Sequence, residues 1–219
     1  MSHRTRVKVC CISSPREAQM AIDAGADALG LVGNMPSGPG VISDSEIRTI
    51  ARGIAPPIAT FLLTSETSVD GVIAHYQKVN TSVIQLVDAL PHGAHADIRN
   101  ALPGVKLVQV IHVTDDRSVE EAKKLASEVD ALLLDSGNPH AEVKELGGTG
   151  RTHNWDLSRR IVQEVPIPVF LAGGLNPSNV REAIQKVRPY GLDLCSGIRT
   201  DGQLDPEKLM AFMEVVSRA

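Results

Sequence analysis

PVFLAGGLNPSNV, residues 168–180, is a short apolar run that ends in two glycines and leads into the start of a helix. Asn176 has the side chain of an N-cap residue, and Pro177 suits the first helical position. Glycines between a strand and a helix let backbone N–H groups approach a ligand closely, and a helix N-terminus favours an anion. The pattern is typical of a phosphate-binding turn, and a tight strand-to-helix connection without a ligand fits it equally well.

The same succession of an apolar run and a helical stretch occurs eight times in the 219 residues. Strict alternation predicts parallel strands with crossover helices, and eight such units fit a closed (β/α)8 TIM barrel better than an open doubly wound sheet. No linker-like or low-complexity segment divides the chain, so we expect one α/β domain over residues 1–219. The predicted strands are Arg6–Cys11, Ala28–Val32, Ile58–Leu63, Ser82–Leu86, Val105–Val113, Asp130–Leu134, Ile167–Leu171 and Gly191–Cys195. The predicted helices are Pro15–Ala24, Asp44–Arg52, Val69–Lys78, Ala94–Ala101, Ser118–Ser127, Asp156–Glu164, Pro177–Lys186 and Pro206–Ser217.

The composition excludes several classes of protein. Aromatic residues make up only 3% of the chain, which argues against surfaces that stack nucleic-acid bases or sugar rings. A formal net charge of −4 offers no long-range attraction for nucleic acid or an anionic membrane. Any phosphate group must then be held locally, by backbone amides and one or two arginines. We expect a small phosphorylated molecule as the partner, and neither nucleic acid nor a membrane.

The three cysteines indicate a reducing compartment, because their number is odd and they lack framework spacing. Cys10 and Cys11 are poor disulfide partners, since adjacent side chains diverge in a strand. The N-terminal residues lack the apolar region of a signal peptide, so we expect a cytoplasmic protein. No Cys or His cluster has metal-ligand spacing, and GGTG at 147–150 is neither a Walker loop nor a dinucleotide fingerprint. We therefore expect no metal and no cofactor.

In a barrel of this kind the ligand site lies at the carboxyl ends of the strands. Alternation along the first strand places Val7, Val9 and Cys11 toward the helices, and Lys8 and Cys10 toward the interior. The same reasoning predicts that further polar side chains face inward on the fourth, sixth and eighth strands: Gln85, Asp135, Asp193 and Cys195.

Cys10 and Asp135 end two strands at the same rim, where a thiol and a carboxyl group could act as an acid–base pair. Burial raises the pKa of a carboxyl group and leaves it protonated, whereas a nearby cation or helix N-terminus lowers the pKa of a thiol. Two simpler interpretations remain open from these residues alone. An inward cysteine can fill space, and an aspartate at a strand end can cap the following turn.

Taken in order, the motifs resemble those of the phosphoribosylanthranilate isomerase family of tryptophan biosynthesis, whose barrel enzymes perform an Amadori rearrangement. KVCCIS at 8–13 is similar to the family's KICGIT, and Gln85-Leu86 matches the start of its QLHG. The remaining matches are GADALG at 25–30, LLLD at 132–135, GGTG at 147–150 with Trp155 beyond, LAGGLNP at 171–177 and DLCSG at 193–197.

The resemblance implies roles for the matching positions. Cys10 would be the general base that takes the proton from C2 of the ribosyl unit, and Asp135 the general acid that protonates the ring oxygen. Asp193 would contact sugar hydroxyls or the reacting nitrogen, and Gln85 would bind substrate. The phosphate would be cradled by Gly148, Gly173, Gly174, Ser196 and Gly197.

Three departures from the family pattern fall where the anthranilate half of the substrate would sit. Gly40 stands at the apparent position of an arginine that meets the anthranilate carboxylate, and Val87-Asp88 replaces the family's His-Gly. Arg199 stands where the family often has a glutamate, and either Arg199 or Arg151 could supply the missing cation from another loop. Three functions fit: the family's isomerase, a paralogue acting on another phosphorylated aminosugar, or a non-catalytic sugar-phosphate-binding barrel. A monomer and a homodimer fit equally well.

Overall fold

The computed structural model describes residues 4–36, 38–137 and 152–219. Eight strands and the helices that follow them alternate along the chain, and a short 3₁₀ turn at Ser196–Ile198 and a small hairpin precede the last helix. The elements are β1 (Arg6–Val9), α1 (Pro15–Asp23), β2 (Ala28–Val32), α2 (Asp44–Gly53), β3 (Ala59–Thr64), α3 (Val69–Val79), β4 (Val83–Leu86), α4 (Ala94–Ala101), β5 (Lys106–His112), α5 (Arg117–Leu125), β6 (Ala131–Asp135), α6 (Trp155–Glu164), β7 (Val169–Leu171), α7 (Val180–Val187), β8 (Gly191–Leu194), β9 (Arg199–Thr200), β10 (Gln203–Leu204) and α8 (Pro206–Ser217).

Strands β1 to β8 form a closed parallel barrel, which confirms the predicted (β/α)8 fold. Each strand pairs with the next, and β8 closes on β1 with Val9 beside Leu194. Every residue of β2, β4, β6, β7 and β8 is buried, as expected for parallel strands covered on both faces.

Two apolar layers hold the barrel together. The outer layer packs the outward strand residues against the helices, and it contains Val7, Val9, Leu192 and Leu194. The inner layer fills the barrel itself, and we call it the inner cluster: Cys10, Cys11, Ala28, Val32, Phe61, Leu63, Val83, Val87, Val108, Val110, Ala131, Leu133, Phe170 and Ala172.

Local sequence signals set the helix starts. Ser14 Oγ accepts a hydrogen bond from Glu17 N at 3.2 Å, with Pro15 in the first helical position of α1. Ser43 and Glu46 form a reciprocal capping box at the start of α2. Among the described residues, the helices are too short or too polar to cross a bilayer.

The observed elements agree with the predicted ones to within two residues, except at α7. This helix begins at Val180, so the prediction that Pro177 is its first residue was wrong. The reason is an additional turn, in which Asn176 Oδ1 accepts from Ser178 N and Asn176 O accepts from Asn179 N and Val180 N. Asn176 therefore caps a turn that precedes the helix.

The predicted direction of the Cys11 side chain was also wrong. Cys11 has a φ of 62°, in the left-handed region, and belongs to the inner cluster. This conformation ends the strand alternation at Cys10, so two successive cysteine side chains both face the barrel interior.

Candidate active site

Cys10 lies directly after β1, at the carboxyl end of the barrel. Its backbone N–H donates to Leu194 O at 2.7 Å, and its side chain is buried. Gly30 on β2 leaves room for it, because a methyl group there would lie 2.7 Å from Cys10 Sγ and 3.0 Å from Lys8 Nζ. The inward direction predicted for Cys10 is therefore the one observed.

Lys8 provides a fixed positive charge beneath this thiol. Its Nζ donates to Asp193 Oδ1 at 2.8 Å, lies 5.3 Å from the centre of the Phe61 ring, and is fully buried. Burial alone would lower the pKa of Lys8, but the Asp193 carboxylate and the Cys10 thiol outweigh it, and the net shift is upward. Lys8 therefore stays charged.

The alternation along β1 places Lys8 on the inward face, but nothing in the sequence around it indicates a function. The inward position itself indicated a buried ion pair, because a lysine inside a barrel needs an acidic partner. That partner had to come from another strand. Asp193, predicted to face inward on β8, is that partner.

Asp135 is the last residue of β6 and is buried. Its Oδ1 accepts from Ser136 N at 2.7 Å and from Ser136 Oγ at 3.4 Å. Burial raises the pKa of Asp135 in spite of these hydrogen bonds and the charge of Lys8. A carboxyl group in this environment retains its proton to a higher pH than an exposed one, which is the property a general acid needs.

The structure brings Lys8, Cys10, Asp135 and Asp193 into one electrostatic group. Lys8 acts on the other three, Asp193 acts on Cys10, and Asp135 acts on Asp193. Burial raises the pKa of Asp193 and the charge of Asp135 adds to this, while the ammonium of Lys8 opposes them. Two carboxyl groups, a thiol and an ammonium in one buried space are suited to proton transfer.

Gln85 lies on β4 between Val83 and Val87, two members of the inner cluster. The side chain is buried, and within the described residues its Oε1 has no hydrogen-bond partner. A buried amide oxygen without a partner is unfavourable by about 1–3 kcal/mol, so this atom is poised to accept a donor from a ligand.

The glycine turns after β7 and β8 meet at the same rim. Gly173 and Gly174 have φ angles of 83° and 63°, and Asn179 Nδ2 donates to Gly174 O at 2.9 Å. A methyl group at Gly197 would lie 2.0 Å from Leu175 O, so the two turns are in direct backbone contact. Ser196 is exposed beside them. Gly148, the remaining predicted phosphate ligand, and Arg151, a candidate for the missing cation, lie outside the described residues.

Arg199 is held by partners within the chain. Its Nη1 donates to Glu17 Oε1 at 3.0 Å, and its Nη2 donates to Cys11 O at 2.5 Å and to Cys10 O at 3.3 Å. Both side chains of the Arg199–Glu17 pair are buried. The predicted contact of Arg199 with substrate thus has no support in this geometry; instead Arg199 fixes the backbone that carries Cys10.

Gly40 and Cys11 share one space at the mouth. Gly40 has a φ of 77°, and a methyl group on it would lie 2.5 Å from Cys11 Cβ and 3.2 Å from Cys11 Sγ. Val87, the second departure, is buried in the inner cluster, and Asp88 Oδ1 accepts from Ala89 N at 2.9 Å.

The barrel is closed, and acidic, basic and thiol groups are buried at its carboxyl end. These features place the chain in the class of (β/α)8-barrel enzymes. A model of the family "N-(5'phosphoribosyl)anthranilate (PRA) isomerase" matches residues 7–215. The N-(5'-phosphoribosyl)anthranilate isomerase of Methanocella arvoryzae is 34% identical over 213 residues, which cover 97% of this chain and 98% of the relative. That of Haloferax volcanii is 37% identical over 220 residues, covering 98% and 94%. The crystal structure of phosphoribosyl anthranilate isomerase from Thermotoga maritima matches with a TM-score of 0.83 and 26% identity, over 98% of this chain and all of that one.

The chain belongs to the N-(5'-phosphoribosyl)anthranilate isomerase family. This confirms the resemblance seen in the sequence motifs. The chain is an isomerase of the intramolecular oxidoreductase type in tryptophan biosynthesis, and its reaction is an Amadori rearrangement of a phosphorylated aminosugar. The alternatives of a paralogue with another substrate and of a non-catalytic barrel are not favoured.

Proposed function

We propose that this chain isomerises N-(5'-phosphoribosyl)anthranilate, with Asp135 as general acid and Cys10 as general base. The observation that carries the proposal is the group of Cys10, Asp135 and Asp193 around the buried ammonium of Lys8. A proton donor and a proton acceptor thus face one space, which is what a ring opening followed by loss of a carbon-bound proton requires.

Asp135 acts first. Its carboxyl group donates a proton to the furanose ring oxygen, the bond between C1 and that oxygen breaks, and the nitrogen lone pair forms a C=N bond. The ring oxygen becomes a hydroxyl group, and Asp135 becomes a carboxylate. Ser136 N and the Lys8 charge then stabilise the carboxylate formed.

Cys10 acts second. Its thiolate takes the proton from C2, the electrons of that C–H bond form a C1=C2 bond, and the nitrogen regains its lone pair. The resulting enol becomes the ketone when C1 gains a proton and the C2 hydroxyl loses one. Cys10 and Asp135 return to their starting protonation states by exchange with solvent.

The remaining polar groups orient the sugar. Asp193 binds Lys8 through Oδ1, and we assign its Oδ2 to a sugar hydroxyl or the reacting nitrogen. Gln85 Oε1 accepts a hydrogen bond from the substrate, which satisfies an atom otherwise buried without one. The phosphate binds at Gly173, Gly174, Ser196 and Gly197, together with Gly148.

Rescue of a tryptophan-requiring strain that lacks the isomerase tests the overall proposal, and turnover by purified Cys10→Ser tests its chemical core. We expect the wild-type chain to restore growth and the variant to lose turnover about 10²–10⁴-fold. Retained affinity for inorganic phosphate, measured as protection against thermal unfolding, would show that the variant site is intact. Near-wild-type turnover by Cys10→Ser would overturn the assignment of the base.

A further inference from the structure

Arg199 is buried against the backbone that follows β1. Its guanidinium binds Glu17 through two nitrogens, with Nη1 donating to Oε1 at 3.0 Å and Nη2 to Oε2 at 3.2 Å. The two side chains are only 7% and 8% exposed. Nη2 also donates to Cys11 O at 2.5 Å and to Cys10 O at 3.3 Å. One planar group therefore holds a carboxylate and two successive backbone carbonyls at the same time.

The carbonyls of Cys10 and Cys11 depend on Arg199 for their hydrogen bonds. The N–H groups nearby bind the adjacent strands, because Cys10 N donates to a carbonyl of β8 at 2.7 Å and Ile12 N to one of β2 at 3.0 Å. In the part of the chain that the structure describes, Arg199 is the donor for both carbonyls. Since buried carbonyls need a donor, the path of the chain after β1 is coupled to this side chain.

These hydrogen bonds fix the direction of the Cys10 side chain. The Cys10 α-carbon lies between a peptide group whose N–H is held by Leu194 O and a peptide group whose carbonyl is held by Arg199. Peptide groups are planar, so fixing both of them also fixes the Cα–Cβ bond between them. The next residue, Cys11, has a φ of 62°, which a residue with a side chain disfavours. Arg199 binds the carbonyls on both sides of this α-carbon and thereby stabilises the unfavourable conformation.

Glu17 anchors the guanidinium from the helix side. It lies in the first turn of α1, and it also accepts from Ser13 N at 3.0 Å and from Leu204 N at 2.8 Å. Ser13 belongs to the connection that follows β1, and Leu204 to the β9–β10 hairpin that carries Arg199. One carboxylate thus joins the segment that holds the thiol to the segment that holds the guanidinium.

We propose that Arg199 is a positioning residue, whose guanidinium aims the Cys10 side chain at C2 of the substrate by holding the carbonyls of Cys10 and Cys11. The proposal rests on the proposed function of Cys10 as the base. Arg199 acts through the backbone and does not contact the reacting atoms. A group misplaced by about 1 Å can slow a reaction about 10²-fold, so the fixed backbone contributes directly to the rate.

Two substitutions of Arg199 separate geometry from charge. Arg199→Met removes the charge and the donors, whereas Arg199→Lys keeps a cation beside Glu17 without the planar fork that reaches a carboxylate and two carbonyls together. Lys208→Met is the matched control, because Lys208 Nζ donates to Arg199 O at 3.0 Å and to Thr200 Oγ1 at 2.8 Å. It weakens the same hairpin and leaves the bonds of the guanidinium in place. Urea denaturation gives the folded fraction, so that kcat is expressed per folded molecule.

We expect Arg199→Met to lower kcat about 10²-fold and Arg199→Lys about tenfold, with KM within about threefold of wild type. Lys208→Met should keep kcat within about twofold. Substrate deuterated at C2 identifies the step that is affected, because a misplaced base slows the breaking of the C2–H bond and makes that step limit turnover. Both Arg199 variants should therefore show a full primary isotope effect on kcat, which a loss of folded protein alone does not produce.

Equal losses of kcat in Arg199→Met and Lys208→Met, or losses in the Arg199 variants without an isotope effect at C2, would overturn the proposal. Where methionine prevents folding, Arg199→Lys provides the test, and a wild-type kcat in that variant would be equally contrary. Retained turnover by Cys10→Ser would show that the assignment of the base itself has failed. A loss in Cys10→Ser beside unchanged Arg199 variants would mean that the positioning proposal alone has failed.

Discussion

The two ends of strand β6 carry aspartates with opposite properties. Asp130, just before the strand, accepts from Leu107 N at 2.9 Å and pairs with Arg99 and Lys106, and these partners lower its pKa despite partial burial. Asp135, at the other end, is buried and has a raised pKa. The same residue type, separated by one strand, has a lowered pKa at the amino end of the barrel and a raised pKa at the carboxyl end.

The difference reflects what each end of the barrel requires. At the amino end, Asp27 repeats the role of Asp130: it accepts from Val7 N at 2.9 Å and pairs with Arg4 and Arg6. These carboxylates satisfy strand N–H groups and face cations near solvent. At the carboxyl end, the partners of Asp135 do not offset the unfavourable burial of its charge. The active-site end of the barrel is therefore less stable than it would be with a paired carboxylate.

The largest effect expected from this contrast is on turnover. Asp135→Asn should lower kcat about 10²–10⁴-fold, because the amide cannot donate an acidic proton to the ring oxygen. Steady-state assay of the purified variant measures the loss, with the exposed Asp97→Asn as control. A loss of less than about tenfold would remove Asp135 from the role of general acid.

The next effect is on the buried ion pair of Arg199 with Glu17, which supports the backbone that carries Cys10. Glu17 accepts from Arg199, Leu204 N and Ser13 N, so Glu17→Gln leaves the buried Arg199 without its anionic partner. The free energy of unfolding should fall by about 3–5 kcal/mol, measured by urea denaturation. Glu46→Gln, at an exposed position on the neighbouring helix, should have a smaller effect, and equal losses in the two variants would contradict the role assigned to the Arg199–Glu17 pair.

Glu17 also makes this stability dependent on pH. Although burial opposes it, hydrogen bonds from Arg199, Leu204 N and Ser13 N lower the pKa of Glu17. The stabilisation is therefore present above the pKa of an unfolded glutamate and is lost as the pH falls through the lower, folded value. Wild type and Glu17→Gln should converge in urea midpoint at acid pH, and a constant difference would argue against this carboxylate as the cause.

Asp130→Asn should have a moderate effect, on stability alone. The variant keeps an oxygen acceptor for Leu107 N but loses the charge that faces Arg99 and Lys106. We expect a loss of about 1–2 kcal/mol by denaturation with kcat within twofold of wild type. A large decrease in kcat would mean that the loss of charge at Asp130 affects catalysis at the carboxyl end of β6, which contradicts the contrast between the two aspartates.

The smallest expected effect has the opposite sign. Because burial raises the pKa of Asp135, its ionised form opposes folding, and the associated stability is lost as the pH rises through the folded pKa. Asp135→Asn should therefore unfold at a higher temperature than wild type at neutral pH, and the difference should vanish at acid pH. Calorimetric scans at several pH values check this, and a variant that is less stable at neutral pH would refute it.

Much of the fold was predictable because it depends on local patterns. Apolar runs, N-cap residues such as Ser14 and Ser43, and the alternation along β1 and β8 set the strands and the inward direction of Cys10 and Asp193. These features depend on a residue and its immediate neighbours in sequence, which a single chain makes visible.

The features that the sequence did not reveal depend on distant partners. The direction of Cys11 follows from a backbone held by Arg199, 188 residues away, and from the space left at Gly40. Arg199 looked available for a ligand because nothing near it in sequence indicates Glu17, 182 residues distant. The start of α7 differs because Asn176 can cap either a helix or a turn, and side-chain hydrogen bonds within 176–179 decide between them.

The contact between Gly197 and the Leu175 carbonyl has a consequence for recombining this barrel with its relatives. The turns after β7 and β8 leave no space for one methyl group between them, so both turns should come from the same parent protein. A chimera with its crossover inside α7 takes the two turns from different parents and tolerates only partners whose backbones follow the same path. Crossovers placed before β7 keep the two turns together, and are the ones from which functional hybrids should be recovered.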